Sequence, residues 1–195
     1  NSVPGLSDVT SSFASFIAAW IIGFDDPVEE RKEEIAAIET VDRLVEKVEI
    51  ACPINGEVIA LEQVEDETFA SGIIGKGVAI IPTDGKVVSP INGTVQTIFK
   101  TKHAIGLLSD EGVEVLIHIG MDTVQLNGEH FTTFVKSGDK VKVGDKLVEF
   151  DREAIKNKGY DIITPIIITN SSDYLDIIPK DVTSVNQGDE VLAIL

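Results

Sequence analysis

Short apolar runs separated by turn residues dominate the chain from Lys47 to Leu195. The runs "VEIAC", "GEVIAL", "GVAIIP", "KVVSP", "GTVQTIF", "HAIGLL", "VEVLIHIG", "KLVEF", "TPIIIT" and "EVLAIL" are rich in valine and isoleucine, with Gly, Pro, Asn and Asp between them. Many short strands punctuated in this way predict an all-β fold, an antiparallel sandwich or barrel. Helix is scarce. The segment "DREAIKNKGY", Asp151 to Tyr160, predicts about two helical turns, with Asp151 as the N-cap and Gly159 as the stop.

The beginning of the chain has a different texture. "FASFIAAWIIGF", Phe13 to Phe24, carries no charge. A spanning helix needs about 20 apolar residues, so this run is too short alone. It reads as the end of a membrane helix, an interfacial segment or a helix packed on the domain. "DDPVEERKEE" follows with dense charge of both signs and reads as a solvated helix or linker. The pattern divides the chain into an apolar segment (1–26), a charged linker (27–45) and a β-rich domain (46–195). A start at Asn1 suggests a fragment of a longer protein, and the absence of a cationic stretch before the apolar run argues against a secretory signal.

Within the β-rich region "CPINGEV" (Cys52 to Val58) recurs as "SPINGTV" (Ser89 to Val95), and "SGDKVKVGDKLVEF" (Ser137 to Phe150) is echoed by "NQGDEVLAIL" (Asn186 to Leu195). Asn and Gly tolerate the positive φ of tight turns. The echoes predict two related β-motifs packed face to face, too few and too unequal for a solenoid.

Composition narrows the function. Hydrophobic residues make up 43% and charged residues 25%, as in an ordinary core-forming soluble protein. With 33 acidic against 16 basic residues the net charge is −17, which repels nucleic acid and anionic membrane and attracts a basic protein partner. A single cysteine, Cys52, excludes an internal disulfide and a CxxC metal pattern, and fits a reducing, cytoplasmic setting. It reads as a small core residue. The glycines of "GIIGKGVAI" precede a β-run rather than open a helix, so they are turn glycines and not a phosphate loop. No serine elbow, HExxH or EF-hand pattern is present.

Three histidines remain. His130, in "NGEHF", is expected to be solvated on an exposed loop. His118 sits inside the apolar stretch "EVLIHIGMDTV", either as a satisfied core histidine or as a reactive nitrogen on a rigid strand. His103 begins the preceding run. Pairing the two runs about a turn near Glu111 places His118 opposite His103 or Ala104. Directly opposed residues have Cβ atoms about 4.5–5.5 Å apart, so the hairpin predicts two adjacent imidazoles. Two chemistries use such a pair: metal ligation, for which a third ligand is not evident, and nucleophilic catalysis with one ring attacking and the other stabilising charge. Gly120 allows close approach to the backbone, and its carbonyl can hold Nδ1–H of His118. Thr101 can orient His103 in the same way.

The segments "SPINGTV", "GKGVAI", "TKHAIGL", "GVEVLIHIGMDTV", "VKSGDKVKVGDKLVEFD" and "TPIIITN" resemble the glucose-type enzyme IIA domain of the bacterial phosphoenolpyruvate-dependent sugar phosphotransferase system. The resemblance covers roughly Lys47 to Leu195. It implies an antiparallel β-sandwich of the duplicated hybrid-motif type with short helices. It also implies a phosphoryl carrier: His118 accepts phosphate at Nε2 from the phosphocarrier HPr and passes it to a cysteine of a IIB domain. By the same resemblance His103 stabilises the phosphate, Thr101 and Gly120 orient the rings, and Asp122 lies beside the site. An apolar rim of Phe69, Ile73, Ile74, Phe99, Leu116 and Val124 docks partners. No cofactor and no metal are implied, and His130 matches no functional position. Relatives fused to a membrane IIC domain give the first 45 residues a role, as the end of the last IIC helix and a linker, which would tether the domain to the inner face of the membrane. The details of "FASG", "TKHAIG" and "GYDIITP" look most like β-glucoside- or sucrose-type permeases. A regulatory module that controls a permease according to phosphorylation state is the alternative. A lipoyl- or biotinyl-type carrier lacks its lysine at the expected hairpin turn.

Overall fold

Strand alternation decides which face of each run is buried. The computed structural model describes residues 47–195, so the expectations for the apolar segment and the linker lie outside the described residues. Fourteen strands follow in order: β1 (Val48–Ala51), β2 (Gly56–Ala60), β3 (Lys76–Pro82), β4 (Lys86–Val88), β5 (Gly93–Ile98), β6 (Ala104–Ser109), β7 (Glu114–His118), β8 (Phe131–Thr133), β9 (Lys140–Val141), β10 (Lys146–Phe150), β11 (Thr164–Ile168), β12 (Ile177–Pro179), β13 (Ser184–Val185) and β14 (Glu190–Ile194). Two short α-helices, α1 (Glu67–Ala70) and α2 (Arg152–Asn157), and three 3-10 turns complete the regular structure of the described residues. The expected helix is α2: the Asp151 carboxylate accepts from Ala154 N–H at 3.0 Å, and Gly159 ends it at φ +88°. Helix α1 is an addition, because four residues are too few for a periodic pattern.

An eight-stranded sheet runs in the order β13-β2-β3-β11-β7-β6-β5-β9, and two three-stranded sheets, β1-β14-β12 and β4-β10-β8, accompany it. Every pairing is antiparallel. The strand faces sort cleanly. Val115 and Ile117 of β7, Ile105 and Leu107 of β6, Ile166 and Ile168 of β11, and Val78 and Ile80 of β3 enter the main core. The alternate residues Ala79 and Ile167 form a second cluster with Leu61, Val64 and Phe69, against which Leu116 packs. Each fully buried Ile or Leu contributes about 1.5–3 kcal/mol, so the main core dominates the stability.

The internal echoes are physically equivalent. Cys52 Sγ donates to the carbonyl of Ile54 at 3.0 Å, as Ser89 Oγ donates to that of Ile91 at 2.7 Å. The backbone N–H of Cys52 binds Asp189 O and that of Ser89 binds Asp145 O. The two aspartate side chains each accept a turn N–H at 2.8 Å, from Asn186 and Lys142. Cys52 is fully buried, and burial pushes its thiol up to about 11, which suits a core residue and not a nucleophile.

His130 is half-buried rather than solvated: it adopts φ +70°, its carbonyl accepts from Asp151 N–H, and its Nε2 is enclosed 3.5 Å from a Glu129 carboxylate oxygen. The contact with the strand β10–helix α2 junction draws its loop inward.

Candidate active site

The β6–β7 hairpin has the expected register. His118, the last residue of β7, pairs with Ala104, the first of β6, so His103 stands one position outside the ladder. The two imidazoles meet edge to face, with centroids 4.8 Å apart and planes at 83°. Their connection continues past the strand ends, where Ile119 N–H donates to His103 O at 2.7 Å.

His103 is 4% exposed and is held by a side-chain contact. Lys102 takes the left-handed conformation at φ +58°, and Lys102 N–H closes the turn onto Phe99 O at 2.7 Å. This turn brings Thr101 Oγ1 to 2.6 Å from Nδ1 of His103. Burial holds the His103 pKa below its ordinary value, so the ring is neutral at pH 7. A neutral ring whose Nδ1 accepts from the Thr101 hydroxyl carries its proton on Nε2, where it can donate.

His118 is arranged differently. Burial is the largest cause that pushes its pKa down to about 4, and the neighbouring His103 adds to the shift. The backbone of Gly120 and the carboxylate of Asp66 oppose it. Nδ1 is buried, yet no partner meets the distance and angle of a well-formed hydrogen bond. The Gly120 backbone nonetheless makes a hydrogen-bonding contact with the ring that favours its charged form. The His118 ring also packs on Phe69, with centroids 4.9 Å apart.

After His118 the chain leaves the sheet sharply. Gly120 has φ +77°, and its N–H and that of Met121 donate to Ile163 O and Asp161 O, both at 3.0 Å. Asp122 is exposed and left-handed at φ +56°. Thr123, which the sequence reading passed over, is fully buried and donates its hydroxyl to Ile119 O at 2.6 Å. Its only linear signal is the threonine of "MDT".

The apolar residues around the histidines differ in exposure. Ile73 is 83% exposed, Val124 48% and Phe99 46%, whereas Ile74 and Leu116 are half-buried and Phe69 is 6% exposed. Phe99 also packs edge-on against His103 at 5.7 Å. Among the described residues no three His, Cys, Asp or Glu side chains cluster tightly enough to hold a metal ion, and no helix is long and apolar enough to cross a membrane.

The family model for the phosphoenolpyruvate-dependent sugar phosphotransferase system, EIIA 1, matches residues 48–174. The chain belongs to this family. It is a phosphotransferase component of the enzyme IIA type. It is 48% identical over 181 residues to the beta-glucoside-specific EIIBCA component of Bacillus subtilis (strain 168), an alignment that covers 93% of this chain and 29% of that protein. It is 48% identical over 142 residues to the glucose-specific EIIA component of Staphylococcus epidermidis (strain ATCC 12228 / FDA PCI 1200), covering 73% of this chain and 86% of that one. Among solved structures, the glucose permease IIA from Mycoplasma capricolum superposes with a TM-score of 0.72 at 40% identity, covering 76% of this chain and 96% of that chain. The chain thus spans less than a third of the length of its EIIBCA relative but nearly the whole of the free-standing EIIA proteins.

The depressed pKa of His118 has a direct consequence for pH dependence. The folded ring titrates near 4 and the unfolded ring near 6.5. Above pH 6.5 both states hold a neutral ring. As pH falls from 6.5 toward 4 only the unfolded chain takes up the proton, so folding stability declines through that window and levels off below it. The loss is at most about 3 kcal/mol from this group. An NMR titration of the His118 ring is expected to show a midpoint near 4, and urea unfolding at pH 5 a lower stability than at pH 7. A ring midpoint at 6.5 would contradict the burial described above.

Proposed function

We propose that His118 is the phosphoryl acceptor of this carrier domain and that His103 stabilises the transferred group. The observation that carries the reading is the edge-to-face contact of two neutral imidazoles, 4.8 Å apart, one of which is fixed by Thr101. In this reading Nδ1 of His118, the buried nitrogen, keeps its proton and Nε2 offers the lone pair. That pair forms a bond to phosphorus as the P–N bond of a donor phosphohistidine breaks, and its electrons return to the donor ring. The His118 ring gains positive charge, which the Gly120 backbone favours. No proton crosses between the partners. Nε2–H of His103 donates to a phosphoryl oxygen, a preorganised contact of the kind that stabilises transferring phosphate.

The donor we propose is the phosphocarrier HPr, and the acceptor is the cysteine of a IIB domain. Kinship with EIIBCA proteins supports a IIB and a membrane IIC domain in the same polypeptide, a β-glucoside as the transported sugar, and tethering of this domain at the inner face of the membrane. The acidic surface, with a net charge of −17, favours a basic donor protein. Exposed Ile73, Val124 and Phe99, with Ile74 and Leu116 beside them, supply the apolar contact. Asp122 stands at the rim.

Incubation with phosphoenolpyruvate, enzyme I and HPr should add one acid-labile phosphoryl group, read by intact-mass spectrometry. His103→Gln is expected to accept phosphate, because the attacking nitrogen is intact. Its transfer to a IIB-domain cysteine should fall by about 10²–10³-fold with the loss of the charge-stabilising donor. Wild-type onward transfer by this variant would remove His103 from the mechanism.

A further inference from the structure

The pair Asn-Gly occurs at Asn55–Gly56, Asn92–Gly93 and Asn127–Gly128. It is chemically self-reactive, because a glycine nitrogen carries no neighbouring side chain to obstruct its attack on the preceding asparagine amide. Attack requires the peptide between the two residues to rotate, carrying the asparagine carbonyl and the glycine N–H with it. In two of the three pairs the fold opposes this rotation. Asn55 O accepts from Thr83 N–H at 2.9 Å, and Gly56 lies between β3 and β13, paired with Pro82 and Val185. The Asn55 side chain is tied as well: Oδ1 accepts from Gln187 N–H at 2.7 Å, and Nδ2 donates to Asp84. Asn92 O accepts from Asp110 N–H at 3.0 Å and its Oδ1 from Val143 N–H at 3.1 Å, while Gly93 lies between β6 and β9.

Asn127–Gly128 is built differently. The two residues are the centre of a tight turn closed by Glu129 N–H on Leu126 O at 2.9 Å. Their φ values of +52° and +87° are both left-handed, as in a type I′ turn. Among the described residues neither Asn127 O nor Gly128 N–H enters a hydrogen bond, so the peptide between them rotates without breaking one. Rotation also releases Asn127 from a backbone conformation that disfavours a residue with a Cβ. The Asn127 side chain is exposed, and its Nδ2 donates to Gln125 O at 3.2 Å. The turn lies beside the histidines. A Cβ added at Gly128 would stand 3.7 Å from Thr101 O and 3.8 Å from Lys100 O, so the turn rests on the segment that holds Thr101 against His103.

We propose that Asn127–Gly128 is a site of spontaneous deamidation to isoaspartate, and that the product loosens the Thr101–His103 contact. Gly128 N bonds to Cγ of Asn127 as the Cγ–Nδ2 bond breaks, and Nδ2 leaves as ammonia with the Gly128 proton. Water then opens the cyclic imide. Addition at Cγ gives aspartate. Addition at the main-chain carbonyl gives isoaspartate, in which the chain runs through Cβ and Cγ. Nothing is oxidised or reduced. The isoaspartate chain is one carbon longer and bears a carboxylate, where the 100–102 turn lies within 4 Å of an added Cβ. The effect on phosphoryl transfer rests on the assignment of His103 as the stabilising ring, whereas the modification itself does not.

The test follows the unsubstituted, folded protein as it ages in mildly alkaline buffer. Peptide mapping by mass spectrometry is expected to show a gain of one dalton at Asn127. Isoaspartyl methyltransferase with labelled S-adenosylmethionine should mark the same peptide. Asn55 and Asn92 must first break two or more hydrogen bonds, so their conversion should be slower by about ten-fold or more. In denaturant all three should convert at similar rates. Equal rates in the folded protein would overturn the site, as would an intact Asn127 under conditions where the unfolded chain converts. Aged protein should show a displaced second set of His103 ring resonances by NMR, which aged Asn127→Ser lacks. Its transfer of phosphate to a IIB-domain cysteine should fall in proportion to the converted fraction. An unshifted His103 signal or undiminished transfer in fully converted protein would overturn the link to Thr101. If fresh protein took no phosphate at all, the carrier reading would fail while conversion at Asn127 still proceeded, so the two failures are distinct.

Discussion

His118→Gln is expected to abolish phosphorylation by phospho-HPr while leaving the fold intact. Glutamine matches the length of histidine and keeps polar atoms at the end of β7, but an amide nitrogen has its lone pair delocalised and does not attack phosphorus. The structural cost is small. His118 projects to the face opposite Val115 and Ile117, so the main core does not depend on it. Removal of a group that titrates near 4 also eliminates its share of the stability decline below pH 6.5. The expected phenotype is a protein with wild-type stability at pH 7, a flatter acid limb and no acid-labile phosphate. Intact mass and thermal unfolding read both halves. The other histidines serve as controls: His103 is neutral and held at Nδ1 by Thr101, and His130 has its Nε2 enclosed beside Glu129. Retention of phosphate at the wild-type rate by His118→Gln would move the acceptor to another residue and dissolve the mechanism above.

The hairpin that joins the two histidines was legible because it is local. A turn near Glu111 and strict alternation on both arms determine the register, and a one-residue slip would put Val115 and Ile117 in solvent. The turn chemistry of the "ING" and "GD" echoes was legible for the same reason. The supports of the site were not. Phe69 reaches His118 from 49 positions away through a four-residue helix with no periodicity of its own. The loop Asp161–Ile163 receives the N–H groups of Gly120 and Met121 from another distant part of the chain. Strands β8, β9, β12 and β13 are two or three residues long, too short for alternation to appear. His130 reads as solvated because its neighbours Glu129 and Gly128 are polar or small, whereas its backbone is tied to Asp151 N–H, 21 positions away, and its Nε2 is enclosed beside Glu129. The end of β7 shows the limit clearly. Hydrophobicity continues through Ile119 and Met121, but the ladder stops at His118, where the backbone of Gly120 turns toward residues 161–163.

Gly120→Ala is expected to damage the turn that follows His118 severely. Two independent costs combine. At φ +77° an L-residue is strained by about 1–2 kcal/mol. The new Cβ would also lie 2.5 Å from both Asp161 O and Thr123 Cγ2. Neither neighbour can yield cheaply. Asp161 O accepts from Met121 N–H, and Thr123 is fully buried and tied to Ile119 O at 2.6 Å. Relief therefore requires the 119–123 turn to separate from the 161–163 loop, with loss of backbone hydrogen bonds worth about 1 kcal/mol each. A total of about 3–5 kcal/mol is expected, which lowers Tm by roughly 6–20 °C in a domain of this size. Gly112→Ala isolates the conformational share. Gly112 has φ +93° but nothing within 4 Å of an added Cβ, so it should lose only about 1–2 kcal/mol. The difference between the two variants in urea unfolding measures the steric contact alone, and equal losses would show that the 161–163 loop moves freely. The turn also carries the backbone that favours a charged His118 ring, so Gly120→Ala should lose phosphate acceptance even at temperatures where it remains folded. Normal acceptance by the folded variant would show that the conformation of this turn is not needed to present the acceptor nitrogen.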